Sequence, residues 1–226
     1  MARILIGALQ PGARPVGIGK TGARRGVAMF NGSARGVIVK GGSRDELAAE
    51  CFCALLANDL LVNAPECGLV VDPDTREVLF ASVDVKSPNL MQALGVGVPL
   101  SQGGARRLVD ELLTWQGFGR LVALDVLVRN ADRNAGNLLT DGTAWWAIDH
   151  SRAMDLIPWT GHALYRLVQH VDPTRSVGLE AAAVSNALTF TQGCHILSEQ
   201  DLIAVGLQPE AARMAAQIVA RLPGLA

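Results

Sequence analysis

The stretch "VLVRNADRNAGNLLTDGTAWWAIDHSRAM", Val126 to Met154, restricts the possible folds more than any other part of the chain. An apolar run of helical period stops abruptly in Asn, Asp and Arg. The chain then reads as a loop, a strand "NLL", a tight turn "TDGT" and a returning strand "AWWAI" that ends on Asp149. A hairpin this short brings its two ends together. Asp132, Asn137 and Asp149 are thereby expected in one place.

The segments on either side set the class. "RILIGAL" reads as a strand, and "VAMF-NGS-ARGVIVK" as two strands around an Asn31-Gly32 turn. "RDELAAECFCALLANDLL" reads as a helix with Ser43 as its N-cap, and "CGLVVDPDTREVLFASVDV" as two further strands. Beyond a Pro/Gly/Ser-rich passage come "ARRLVDELLTW", "GRLVALDVLVRN" and, from Ser151, a mostly helical remainder. Strands, one helix, strands, then helices with one embedded hairpin predict an α+β fold of two lobes. The expected division is a β-rich N-lobe over 1–86 and a compact helical C-lobe over 87–226, together one domain. With 226 residues, half of them hydrophobic, the chain has material for such a core.

Composition removes some classes of function. The formal net charge is −1, so no global basic field exists to attract nucleic acid. No apolar run approaches the roughly 20 residues of a membrane span. The opening "MARILIGALQPG" is too short in its apolar part for a secretory signal, and the chain reads as cytoplasmic. Cys51, Cys53, Cys67 and Cys194 form no CxxC pair and read as free thiols. His150, His162 and His170 lack ligand spacing and read as locally hydrogen bonded. The adjacent Trp145 and Trp146 would face opposite sides of a strand, which suits packing.

The chemistry these residue types suit is phosphoryl transfer. One carboxylate, Asp132, would orient an attacking hydroxyl and accept its proton. An amide oxygen, Asn137, and a second carboxylate, Asp149, would hold Mg²⁺ against the phosphates of ATP. Arg133 is a candidate for charge support at the γ-phosphate. Upstream, Lys40 ends an apolar strand, where an ammonium needs anionic partners. Phosphates would serve, steadied by Glu50 or Glu46 on the next helix; Glu50 sits deeper among apolar residues. Taken singly, each residue has a simpler use as a turn, cap or strand-end residue; their joint order and spacing point to the site.

"GIGKTGARRG" contains Gly-Lys-Thr, but a Walker A loop would need glycine at position 14, where the chain has Arg14. The segment also precedes a strand instead of a helix. It reads as a Gly-rich flap, with Gly17, Gly19 and Gly22 letting backbone N–H groups approach phosphates and with Lys20, Thr21 and Arg24 nearby.

From "ARGVIVKGG", "ELAAECFCALLANDLLVNAPE" and "VLVRNADRNAGNLL…AWWAIDHSRAM", the chain resembles the HipA-like kinases, within the wider group that includes phosphatidylinositol-kinase-like enzymes. The resemblance runs from about Gly17 to Met154 and is most specific from Asn130 to His150. It implies Asp132 as catalytic base, Asn137 and Asp149 as Mg²⁺ ligands, and Lys40 on the phosphates with Glu50 as partner. It also implies Ser82, Val83 and Val85 in the strand beside the adenine. The expected partners are ATP and a hydroxyl acceptor on a protein Ser or Thr. Where the family often has histidine two residues after the catalytic Asp, this chain has Asn134. Where glycine commonly follows the Asp-His pair, it has Ser151. The lobe after Asp149 is short and has no Ala-Pro-Glu segment. Two alternatives stand beside this reading: a catalytically weak kinase-shaped binding module, and a kinase acting on a small molecule or lipid.

Overall fold

The computed structural model describes residues 3–16, 22–191 and 193–224. The first part is a six-stranded sheet. Its strands are β1 (Leu5–Leu9), β2 (Arg14–Pro15), β3 (Arg24–Phe30), β4 (Ser33–Lys40), β5 (Cys67–Val71) and β6 (Val78–Val83). One helix, α1 (Arg44–Asp59), is inserted between β4 and β5.

The spatial order is β1-β5-β6-β4-β3-β2, and β1 also pairs with β3, so the sheet closes on itself. β1 runs parallel to β5 and antiparallel to β3. That insertion depends on two glycines. A Cβ on Gly7 would lie 2.2 Å from the Met29 carbonyl oxygen, and one on Gly68 2.5 Å from that of Leu5. The curl encloses a small core of Leu9, Ala28, Phe30, Val37, Val39, Val70, Leu79 and Ala81. The β3–β4 turn has Asn31 and Gly32 both at positive φ, as its sequence requires.

α1 starts in a capping box. The Ser43 hydroxyl accepts from the Glu46 N–H, and the Glu46 carboxylate accepts from the Ser43 N–H. The helix is buried from Leu47 through Ala57 because it is covered on two sides. β5 and β6 lie on one side, and α7 (Ile196–Ala204) and α8 (Gln208–Arg221) on another. Ion pairs tie both its ends to those helices. Arg44 meets Glu210 at 2.6 Å and Asp45 meets Arg213 at 2.8 Å. Arg3 bridges Asp59 and Asp201.

The helical part comprises α2 (Leu90–Ala93), α3 (Gln102–Thr114), α4 (Phe118–Val128), α5 (Ala163–Val171), α6 (Pro173–Ala187), α7 and α8, with a hairpin of β7 (Leu138–Thr140) and β8 (Trp145–Ala147) after α4. α4 is apolar on nearly every face and buried accordingly. The larger core joins Ile4 and α1 to residues of α3, α4, α5 and α8. Trp145 is buried and stacks on Trp115 with centroids 5.0 Å apart, whereas Trp146 on the opposite face is only half-buried. The chain between β6 and α2 reaches the hairpin, since the Thr140 N–H donates to Pro88 and Asn89 bridges Leu139. Among the described residues no helix is long and apolar enough to cross a membrane.

Candidate active site

The catalytic-loop candidate begins where α4 ends. Arg129 takes a left-handed conformation, and the Asn130 N–H returns to the Asp125 carbonyl, closing the helix. The Asn130 side chain then reaches across and donates to the Asp149 carbonyl at 3.4 Å. The Asp132 carbonyl oxygen accepts from two amide side chains, Asn134 at 3.0 Å and Asn137 at 2.9 Å. Asn134 Oδ1 also accepts from the Gly136 N–H. Both amides thus hold the Asp132 backbone while its side chain stays exposed. With Nδ2 committed to Asp132, Asn137 Oδ1 has no hydrogen-bond partner among the described residues.

The hairpin carries Asp149 back to this loop. Its turn is organised by Asp141 Oδ1, which accepts from the N–H groups of Thr143 and Ala144. Leu138 pairs with Ala147, and the Ile148 N–H donates to the Asn137 carbonyl at 3.0 Å. Asp149 follows with φ 63°, a conformation that costs a non-glycine residue about 1 kcal/mol or more and recurs at functional positions.

Lys40 meets this carboxylate from the sheet. Its Nζ lies 2.9 Å from Glu50 Oε1 and 3.0 Å from Asp149 Oδ1. Glu50 Oε2 accepts from the His150 N–H at 2.8 Å. Glu46 is engaged in the helix cap, so Glu50 is the helix carboxylate that faces Lys40. Burial lowers the Lys40 pKa, but Glu50 and Asp149 outweigh it and hold the ammonium above its ordinary range. Burial pushes Glu50 up, with Lys40 pulling against it. Burial also acts to raise Asp149, yet Lys40 keeps it below the usual carboxylate range. One ammonium between two carboxylates leaves this trio short of positive charge.

The trio borders a cleft. One part, about 490 Å³ of space that is partly open to solvent, is lined by Ile38, Ala54, Phe80 and Ile148, together with residues 82–85 at the end of β6. An adjoining part, of about 610 Å³, shares Lys40, Glu50 and Phe80 and continues to Ser151 and Arg152. An apolar pocket beside a polar one, with Lys40 at the junction, suits a ligand with an apolar end and a polar end. Ser82, Val83 and Val85 all line the apolar part.

Two expectations need correction. Arg133 does not reach toward the cleft. It is completely buried, and its guanidinium is held by Asp125, by the carbonyls of Asn137 and Ile148, and by His150. An arginine so enclosed has no N–H left for a γ-phosphate. Arg24 points away as well, pairing with Asp72 at 2.5 Å. Of the Gly-rich segment, Gly22 has φ 63°, while Gly17, Gly19, Lys20 and Thr21 lie outside the described residues.

Sequence reasoning missed Asp125; His162, read as locally hydrogen bonded, accepts from the Tyr165 N–H and also meets Asp125 Oδ2 at 3.0 Å. Asp125 is fully buried within α4, where burial would raise its pKa, but Arg133 and His162 hold it well below the usual range. The available signal was a lone carboxylate in an apolar helix, which demands a cationic partner. His150 is buried beside Arg133, and both circumstances push its pKa down to about 3, so it is neutral.

Among the described residues, no three His, Cys, Asp or Glu side chains gather as a metal site. A Mg²⁺ site of the phosphoryl-transfer kind needs fewer protein ligands, because phosphates and water supply the rest. The uncommitted Asn137 oxygen and the Asp149 carboxylate are hard donors and fit that requirement.

No protein-family model and no curated protein matches the chain. Among solved structures it is similar to the Helicobacter pylori proinflammatory kinase CtkA, with a TM-score of 0.62 at 11% identity, covering 99% of each chain. It also aligns with the aminoglycoside phosphotransferase APH(4)-Ia at a TM-score of 0.38 and 14% identity, over 95% of this chain and 93% of that one. The likeness to CtkA shows that the chain has a protein-kinase-like fold.

Proposed function

We propose that this protein is an ATP- and Mg²⁺-dependent kinase of HipA-like type that transfers the γ-phosphoryl group to a hydroxyl, with a protein Ser or Thr as acceptor. The observation that carries the reading is Lys40 Nζ held between Glu50 and Asp149 at the junction of an apolar and a polar cavity. The resemblance of the catalytic-loop sequence and a kinase of the same fold support it. In this reading residues 1–86 and 87–226 act as the two walls of a nucleotide cleft in a cytoplasmic enzyme.

Residues 82–85 would receive the adenine, and Lys40 would bind phosphate oxygens while Glu50 fixes its position. The oxygens of Asn137 and Asp149 would hold Mg²⁺, which, when bound, neutralises charge on the phosphates. Asp132 would orient the acceptor hydroxyl. Its oxygen forms a bond to the γ-phosphorus as the bridging bond to ADP breaks, and the hydroxyl proton passes to the Asp132 carboxylate. Incubation with γ-labelled ATP, Mg²⁺ and protein acceptors tests this. Label incorporation that is lost in Asp132→Ala supports the reading, and equal incorporation by that variant refutes it.

One observation favours the binding-module alternative. The Asp149 Oδ1 that meets Lys40 also accepts from Ser151 Oγ at 2.9 Å, so that oxygen is already occupied twice. Nucleotide-dependent thermal stabilisation without any label transfer would decide for a binding module.

A further inference from the structure

Next to His150, which lines the cleft, lies a second charged cluster that the proposed chemistry does not use. Asp125 and Arg133 are both fully buried and pair through two bonds, Nε to Oδ2 at 2.8 Å and Nη2 to Oδ1 at 3.1 Å. His162 Nδ1 accepts from the Tyr165 N–H, which places its proton on Nε2, and Nε2 lies 3.0 Å from Asp125 Oδ2. The rest of the guanidinium faces the hairpin. Nη1 donates to the Asn137 carbonyl at 3.1 Å and to the Ile148 carbonyl at 2.6 Å. Nη2 lies 3.2 Å from His150 Nδ1.

These contacts fall on particular residues. Asn137 carries one of the two proposed metal-binding oxygens, and Ile148 and His150 flank the other, Asp149. A single rigid plane therefore grips Asn137 and both chain neighbours of Asp149. Its own position is fixed by a carboxylate on α4, which His162 holds in turn. Burying two charges gains little stability over apolar packing of equal volume. The arrangement does secure geometry, and metal-assisted transfer depends on donor positions held to within about half an ångström. A lysine has no planar fork and could not span Asp125 and both carbonyls.

We infer that Arg133, with Asp125 as its counterion, is a positioning residue that sets the spacing between the Asn137 and Asp149 oxygens. The inference rests on the kinase reading above. It predicts that loss of the fork weakens metal binding at the nucleotide site before it unfolds the protein.

The test compares the whole chain with Arg133→Lys and with the double variant Asp125→Leu/Arg133→Met, whose apolar groups keep the interior filled should the single variant unfold. Amide hydrogen exchange is followed in metal-free protein, and binding of Mn²⁺·ATP and of metal-free ATP is measured separately. Outer partners of metal ligands typically govern affinity about 10- to 100-fold, and a loss of that size is expected for Mn²⁺·ATP, with metal-free ATP unchanged. The Ile148 amide, which donates to Asn137, should exchange faster while Leu124 and Leu127 in α4 keep their protection. Unchanged Mn²⁺·ATP affinity in a folded variant overturns the inference. So does exchange that quickens equally in α4 and the hairpin, since a general staple of the fold would do that. Failure of the wild-type chain to bind Mn²⁺·ATP overturns the kinase reading itself and is seen in a separate arm.

Discussion

Two charged clusters meet the residues that flank the same hairpin, and they are built differently. Lys40, Glu50 and Asp149 line a cleft, with two carboxylates to one cation and part of their surface open. Asp125, Arg133 and His162 are enclosed, and every N–H direction of the guanidinium has a protein acceptor. A cluster with unspent valence beside a cavity is prepared for a ligand. A cluster with none left holds its surroundings in place. Type and sign of charge alone do not separate the two cases; what each group still lacks does.

The comparison can be broken from either side. The largest effects are expected in the open cluster and its loop. Asp149→Ala should lower phosphoryl transfer about 10³-fold or more, and Asp132→Ala about 10²- to 10⁴-fold, each with an unchanged circular dichroism spectrum. A radiolabel transfer assay showing near-normal turnover for either would remove the distinction. Lys40→Met should reduce transfer about 10²- to 10³-fold and also lower the melting temperature, because Glu50 is left buried without its cation.

The closed cluster should respond in stability. Asp125→Asn strips the countercharge from a buried guanidinium and should cost about 3–5 kcal/mol in urea unfolding, whereas the double variant Asp125→Leu/Arg133→Met removes both charges and should cost less. A harmless Asp125→Asn would mean that Arg133 is not confined as its contacts imply. Acid sharpens the same contrast. The Asp125 pKa is depressed in the folded chain, so its contribution is present above the unfolded value of about 3.8 and is lost as pH falls toward the folded one. The wild-type chain should lose stability below about pH 3.8 more steeply than the double variant, which has no such carboxylate. The smallest effect belongs to neither cluster. Ser43→Ala opens the capping box of α1 and should cost about 1 kcal/mol in thermal unfolding, with Glu50 still facing Lys40.

Much of the local structure was legible because it rests on local rules. The Asn31-Gly32 turn, the Ser43 cap, the apolar α4 and the tight 138–147 hairpin all follow from residue type and period. The encounter of Asp149 with the Asn137 loop followed too, since a two-strand return has only one short way to close. Sheet order was not legible. β1 enters between β3 and β5 through close approaches at Gly7 and Gly68, which are contacts between residues distant in sequence. The short β2 was likewise hidden in a stretch that reads as loop.

Arg133 shows the limit most plainly. An arginine directly after a catalytic-type aspartate reads as a ligand for phosphate, yet its neighbour Asp132 faces solvent while Arg133 turns inward to Asp125, eight residues back on α4. By itself the sequence determined the principal strands, the Ser43-capped helix, the apolar α4 and the return of the 138–147 hairpin to the Asn137 loop, because those depend on backbone preference and spacing over a few residues. Only the tertiary structure decided which charges are spent and which stay available. That depends on partners brought together from α1, α4, the sheet and the C-terminal helices, and on how completely each is shut away from water.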